Sequence, residues 1–178
     1  MYFQILVPMY KGLHGIDLIN DKVQEIFNPK DSSKTEIKIG DTIYREGDKV
    51  IQLTNMPDEN VYNGDIGIIK EILPKKEIRI DYDGNVVKYT PSIFNNFKKA
   101  FAISIHKSQG SEFDIVVIPM VMGYKKMLYQ KLIYTAVTRA KKRLYLIGDM
   151  EALKLASNNT NDDIRRTSIR EFLINGIF

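Results

Sequence analysis

Ser104, His106, Lys107, Ser108, Gly110, Ser111 and Glu112 lie within nine residues of one another, just after an apolar run that begins at Phe101. Hydroxyls, an imidazole, an ammonium and a glycine in one loop suit phosphate oxygens. Those oxygens accept hydrogens from Ser, His and Lys and approach closely a backbone that carries no Cβ. With a strand ahead of it, the loop leaves the carboxyl edge of a sheet, where open α/β folds hold ligands. A solvated connection between two strands accounts for the same composition equally well.

The second such stretch is Tyr134-Thr135-Ala136-Val137-Thr138-Arg139-Ala140-Lys141-Lys142-Arg143. Thr135 and Arg139 are four apart and share a helical face opposite Leu132 and Ala136. A planar guanidinium leaving a core helix is suited to a phosphate on a neighbouring surface. Lys141 and Lys142 read as a basic last turn complementing the helix dipole.

The elements that must position these residues follow from periodicity. Tyr2 to Val7 is a short apolar run ended by Pro8 and predicts a buried strand. Leu18, Ile19, Val23, Ile26 and Phe27 recur at helical spacing up to Asn28-Pro29, which predicts a helix with that face buried. Residues 30–40 are polar and predict a loop. Short β-rich runs then follow at 49–53, 66–73, 77–82 and 86–89, with a two-residue hairpin signal at Asp83-Gly84-Asn85. Four such runs predict a small SH3-like barrel. From Ala100 the α/β rhythm returns: strands at 101–105, 115–119 and 144–148, and helices at 126–140, 150–156 and 163–173. The expected organisation is an α/β domain of residues 1–40 and 99–178 interrupted by a β-barrel insert at 41–98.

Composition narrows the classes. The chain of 178 residues, 44% apolar and 27% charged, is long enough to bury a core. It has no cysteine, so disulfide and thiolate chemistry are excluded and a reducing, cytoplasmic setting is expected. The longest apolar run, Ile115 to Met122, is far short of the ~20 residues a membrane helix needs. A net charge of +4 is compatible with a nucleic-acid partner. Two histidines and no cysteine make a zinc site unexpected, and Asp81-Tyr82-Asp83-Gly84 lacks the distal ligands of a calcium loop. The pairs Lys75-Lys76, Lys98-Lys99 and Lys125-Lys126 read as solvated faces, with contact to a DNA backbone as the alternative for Lys98-Lys99.

The two phosphate-suited stretches resemble motifs V and VI of superfamily 1 helicases, in the form H-K-S-Q-G-x-E-F-D and Y-T-A-x-T-R-A. They are similar in particular to the RecD-like group of subfamily 1B, the RecD/TraA or exodeoxyribonuclease V alpha type. Gln4 to Gly12, with the helix up to Asn28-Pro29, resembles that group's motif IV. Gly47-Asp48-Lys49-Val50-Ile51-Gln52, with Asn55 and Tyr62 to Gly67, resembles the start of its SH3-like insert.

The resemblance implies a second RecA-like domain of the P-loop NTPase type, a parallel sheet with flanking helices, carrying an inserted SH3-like barrel. It implies that Arg139 is the arginine finger reaching the γ-phosphate of ATP. Gly110 and Glu112 would lie near the γ-phosphate and ribose, with Lys11 supplying the charge where motif IV commonly has an arginine in place of Tyr10. Ser104, His106, Lys107 and Ser108 would face single-stranded DNA. No G-x-x-x-x-G-K-[ST] occurs. The expectation is therefore the C-terminal part of a longer, 5′-to-3′ DNA helicase of repair and recombination. ATP and Mg²⁺ would act in the full-length enzyme and none would be bound by this part alone. Its partners would be single- or double-stranded DNA and a first RecA-like domain of the same polypeptide. The alternatives are a non-catalytic DNA- or protein-binding module and the helicase segment of a conjugative relaxase.

Overall fold

The computed structural model describes residues 3–160. The chain begins with β1 (Phe3–Val7) and α1 (Ile16–Phe27), followed by the hairpin β2 (Glu36–Ile39) and β3 (Thr42–Arg45). Next come β4 (Lys49–Gln52), β5 (Ile66–Leu73), β6 (Glu77–Tyr82), β7 (Asn85–Tyr89) and β8 (Phe97–Lys99). The last part contains β9 (Ala102–Ser104), β10 (Phe113–Met120), α2 (Gln130–Val137), β11 (Ala140–Gly148) and α3 (Met150–Asn158). The helix expected at 163–173 lies outside the described residues.

Strands β11, β10, β1 and β9, in that order, form a parallel sheet. The apolar run of β1 sits in its middle, with Leu6 and Val7 fully buried. Strands β7, β6, β5, β4 and β8 form an antiparallel sheet with a core of its own, built on Ile69, Ile78, Ile80, Val87, Tyr89 and Phe97. The turn between β6 and β7 has positive φ at both Asp83 (53°) and Gly84 (96°), the backbone that a two-residue hairpin requires.

Strand β4 joins the two units because all four of its residues are buried. Successive side chains of a strand point to opposite faces. Val50 accordingly packs in the antiparallel core and Ile51 in the core of the parallel sheet. Gln52 accepts hydrogens from the hydroxyls of Tyr82 (3.2 Å) and Tyr89 (2.7 Å) inside the antiparallel unit. Lys49 points the other way and donates to Phe3 O (3.0 Å) and Gln4 Oε1 (2.7 Å). With only neutral partners for a buried ammonium, its pKa is pushed down to about 8.

Helix α1 departs from its apolar periodicity. Leu18, Ile26 and Phe27 are exposed, while the amides Asn20, Gln24 and Asn28 are buried at i, i+4 spacing. Asn20 exchanges two hydrogen bonds with the backbone of Ala102, both 2.9 Å, on the outer edge of β9. Gln24 and Asn28 donate to the buried carboxylate of Asp48. An edge strand and a buried carboxylate must be given partners, and polar side chains on that helical face supply them. The 30–40 loop is corrected too: Glu36–Ile39 forms an antiparallel pair with Thr42–Arg45 across Gly40, whose φ is 58°.

The helix expected over 126–140 is shorter. A 3-10 segment, Met122–Met127, precedes it, α2 ends at Val137, and Thr138 closes it. Lys141, Lys142 and Arg143 therefore belong to β11 rather than to a last helical turn.

Candidate functional site

Strand register locates the two phosphate-suited stretches. Ile5 is level with both Ala102 and Val117, and Phe113 is level with Ala140. At about 3.3 Å per residue, the level of Ser104 is therefore roughly 20 Å from that of Phe113. The connection from Ile105 to Glu112 starts at the carboxyl edge of β9 and ends at the amino edge of β10. Its two halves serve opposite edges of the sheet, whereas the sequence reading had it all at the carboxyl edge.

At the carboxyl edge, Ser104 Oγ is buried and accepts hydrogens from Tyr10 Oη and from the backbone N–H of Lys107, both at 3.2 Å. Lys107 Nζ reaches Asn63 Oδ1 at 3.3 Å, in the loop that leads into β5. His106 is exposed; its carbonyl accepts from the Gln109 N–H at 3.3 Å, and its imidazole has no hydrogen-bond partner among the described residues. Ser108 is fully buried and donates to Ile105 O at 2.7 Å, so its hydroxyl holds the turn together from inside and does not face solvent. Lys11 is exposed in the loop after β1, next to Tyr10. Strand β1 delivers this loop to the carboxyl edge, the edge of Tyr10 and Ser104, whereas Arg139 lies at the amino edge.

At the amino edge, Arg139 follows α2 and precedes β11. Its Nε donates to Thr135 O (3.1 Å), Nη1 to Ser111 O (3.2 Å) and Nη2 to Thr138 Oγ1 (3.2 Å). All three acceptors are neutral, and among the described residues no carboxylate pairs with this half-buried guanidinium. Five N–H donors in a planar fork, positioned and charged, are ready for a further oxyanion. Gly110 turns the loop with φ of 85°, a left-handed conformation that side chains disfavour, and Glu112 follows with its carboxylate 3.1 Å from Lys141 Nζ.

Gly110, Glu112 and Arg139 come together; Ser104, His106, Lys107 and Lys11 form the other group. The sequence places Ser111 in the phosphate-suited loop and Asn63 in the insert, but not the contacts they make: the Ser111 carbonyl on Arg139 and the Asn63 side chain on Lys107, which no local pattern marks. Thr138, inside the motif VI stretch, was legible. Among the described residues no three His, Cys, Asp or Glu side chains gather as a metal site, and no helix is long and apolar enough to cross a membrane.

Residues 19–82 match the SH3 domain family of ATP-dependent RecD-like DNA helicases, and residues 99–147 match the UvrD-like helicase C-terminal domain. The chain is 32% identical over 168 residues to the ATP-dependent RecD2 DNA helicase of Deinococcus radiodurans, covering 94% of this chain and 23% of that protein. It is 31% identical over 163 residues to RecBCD enzyme subunit RecD of Buchnera aphidicola, covering 89% of this chain and 27% of that one. It thus spans about a quarter of these relatives' length. Its fold is similar to the Pif1 helicase of Candida albicans, with a TM-score of 0.56 at 16% identity over 98% of this chain and 49% of that one. A parallel sheet carrying the motif V and VI stretches, an SH3-like unit ahead of them, and relatives matched over most of its residues lead to one conclusion: the chain belongs to the RecD-like DNA helicases of superfamily 1.

Proposed function

We propose that this chain forms the second wall of an ATP cleft and one side of a single-stranded DNA track in a RecD-like DNA helicase. The observation that carries this reading is the edge-to-edge course of Ile105–Glu112, which ends against a guanidinium held only by neutral oxygens. In this reading the insert at 41–98 divides a RecA-like domain made of 1–40 and 99–178; β1 pairing with both β9 and β10 supports that division.

At the amino edge, Arg139 meets the γ-phosphate of ATP carried by a P-loop domain, with Gly110 and Glu112 beside it. The guanidinium stabilises charge spreading over the transferred phosphoryl group, an effect of roughly 10³–10⁵ in rate for arginine fingers. The Mg²⁺ that accompanies ATP would be held by the P-loop domain together with the phosphates. At the carboxyl edge, His106, Lys107 and Lys11, supported by Ser104, contact the DNA backbone. Eight residues of chain then connect nucleotide and DNA, so a loop shift at one edge is felt at the other. The family resemblance adds 5′-to-3′ movement and work in DNA repair and recombination, and the chain hydrolyses ATP only together with the P-loop domain.

The test uses a polypeptide joining this chain to a P-loop domain of its family. Arg139→Ala should retain single-stranded DNA binding and lose DNA-stimulated ATP hydrolysis by at least about 10³-fold. His106→Ala should retain nucleotide binding and lose stimulation by DNA. Full turnover by the first variant, or full stimulation of the second, refutes the corresponding assignment.

A further inference from the structure

We infer that Lys141 and Lys142 are positioning residues: they engage the neighbouring carboxylates and so keep the Arg139 guanidinium free of an anionic partner. The inference rests on reading Arg139 as the phosphate-facing group.

The geometry begins with a bulge. Phe113 faces Ala140 and Ile115 faces Arg143, so β11 advances three residues while β10 advances two. On a regular strand two consecutive side chains point to opposite faces, and one of the two lysines would be turned away. The extra residue re-aims them, and both meet the neighbouring chain. Lys141 Nζ lies 3.1 Å from Glu112 Oε2, and Lys142 Nζ lies 2.9 Å from Asp114 Oδ2.

Glu112 directly follows Ser111, whose carbonyl already accepts from Arg139 Nη1. Its carboxylate is therefore the one nearest in sequence to the point where the guanidinium is held. An arginine–carboxylate fork is bidentate and stronger than a lysine pair, so a released Glu112 would occupy the seat that an incoming phosphate needs. Asp114, two residues on, is the second competitor. Both lysine pairs are partly solvated, so the effect is modest and falls with added salt.

Two measurements test this. On the 178-residue chain, the ¹⁵Nε–¹Hε resonance of Arg139, assigned by its loss in Arg139→Lys, should move downfield in the Lys141→Ala/Lys142→Ala double variant at low salt. Adding Glu112→Gln should return it; a resonance that stays in place overturns the proposal. In the polypeptide joined to a P-loop domain, the double alanine variant should lower kcat/KM for ATP about fivefold at low salt, the scale of an exposed ion pair. The loss should vanish at high salt, and Lys141→Arg/Lys142→Arg should restore the wild-type value. If Arg139→Ala abolishes turnover while the double variant keeps wild-type kcat/KM, this proposal alone fails. If Arg139→Ala leaves turnover intact, the phosphate-facing reading fails.

Discussion

Replacing Asp48 with alanine removes the carboxylate that ties α1 to the antiparallel unit. It is fully buried. Its Oδ2 accepts from Gln24 Nε2 (2.5 Å) and from the backbone N–H of Arg45 (2.7 Å), and its Oδ1 accepts from Asn28 Nδ2 (2.7 Å). Burial pushes its pKa up, against the pull of Asn28, Arg45, Gln24 and the nearby Lys99. Lys99, expected on a solvated face, is instead buried and engaged with Asp21 and with Gln24 Oε1 (3.1 Å). Alanine strands the Arg45 N–H and one N–H each of Gln24 and Asn28, whose side-chain nitrogens keep Ile43 O and Glu46 O as their other acceptors. Each N–H costs about 1–3 kcal/mol when buried without a partner. Relief of the carboxylate's own desolvation and entry of water return part of that. The expected net loss is about 3 kcal/mol, the lower end for a buried charged network cut on one side. At a urea dependence of about 1–3 kcal/mol/M, the midpoint of the 178-residue chain should fall by about 1–3 M. Circular dichroism in a urea titration at pH 7 measures it. A loss below about 0.5 kcal/mol would show that the network contributes nothing net, and that apolar packing around Ile51 holds the units together instead.

Two further outcomes follow from single residues. Lys49 is buried with its folded pKa lowered to about 8, against about 10.5 when unfolded, so the unfolded chain holds more protons between those values and stability should rise with pH from about 8 to 10. The gain is of order 2–3 kcal/mol, and Lys49→Met should flatten it in urea titrations at several pH values. Burial raises Tyr44 and Tyr124 to about 12 and raises Tyr82 and Tyr89 as well, so stability falls again as the unfolded chain's tyrosines ionise at about pH 10, and the Lys49 rise is read on the lower side of that window. A flat wild-type profile would show that the ammonium is solvated. Gly110→Ala meets no atom within 4 Å but must hold φ at 85°, a backbone cost of about 1–2 kcal/mol. The chain should stay folded by circular dichroism while DNA stimulation of ATP hydrolysis drops, and unchanged stimulation would show that the turn need not keep its shape.

Much of the fold was legible. The parallel-sheet strand around Ile115–Pro119 and the hairpin at Asp83-Gly84 carry their own local reasons, an uninterrupted apolar run and a backbone only certain residues tolerate. Helix α1 was legible as a helix, but its buried face only in part: Val23 is buried and Ile19 packs on the core, as expected, while the rest of the face differs. Its apolar stripe predicts Leu18, Ile26 and Phe27 inside, whereas the chain buries Asn20, Gln24 and Asn28. Polar demand from β9 and Asp48 outweighs apolar periodicity there, and neither demand is visible within the helix itself. The basic run after Arg139 reads as a helix end because charges at a C-terminus are favourable, yet pairing with β10 draws it into a strand.

Residue chemistry is a property of the sequence: the cation, hydroxyl and glycine set at 104–112, the guanidinium at 139, and the family resemblance were all readable without coordinates. Which of them share a site was decided by strand order. With β1 between β9 and β10, the connection from Ile105 to Glu112 has to cross the height of the sheet, which parts His106 and Lys11 from Arg139 and brings Ser111 against it. Local sterics and apolar spacing act over a few residues and are recorded in the sequence pattern. The level at which distant strands pair is set by packing of the whole chain, and it is that pairing which turned one motif into two ends of a single connection.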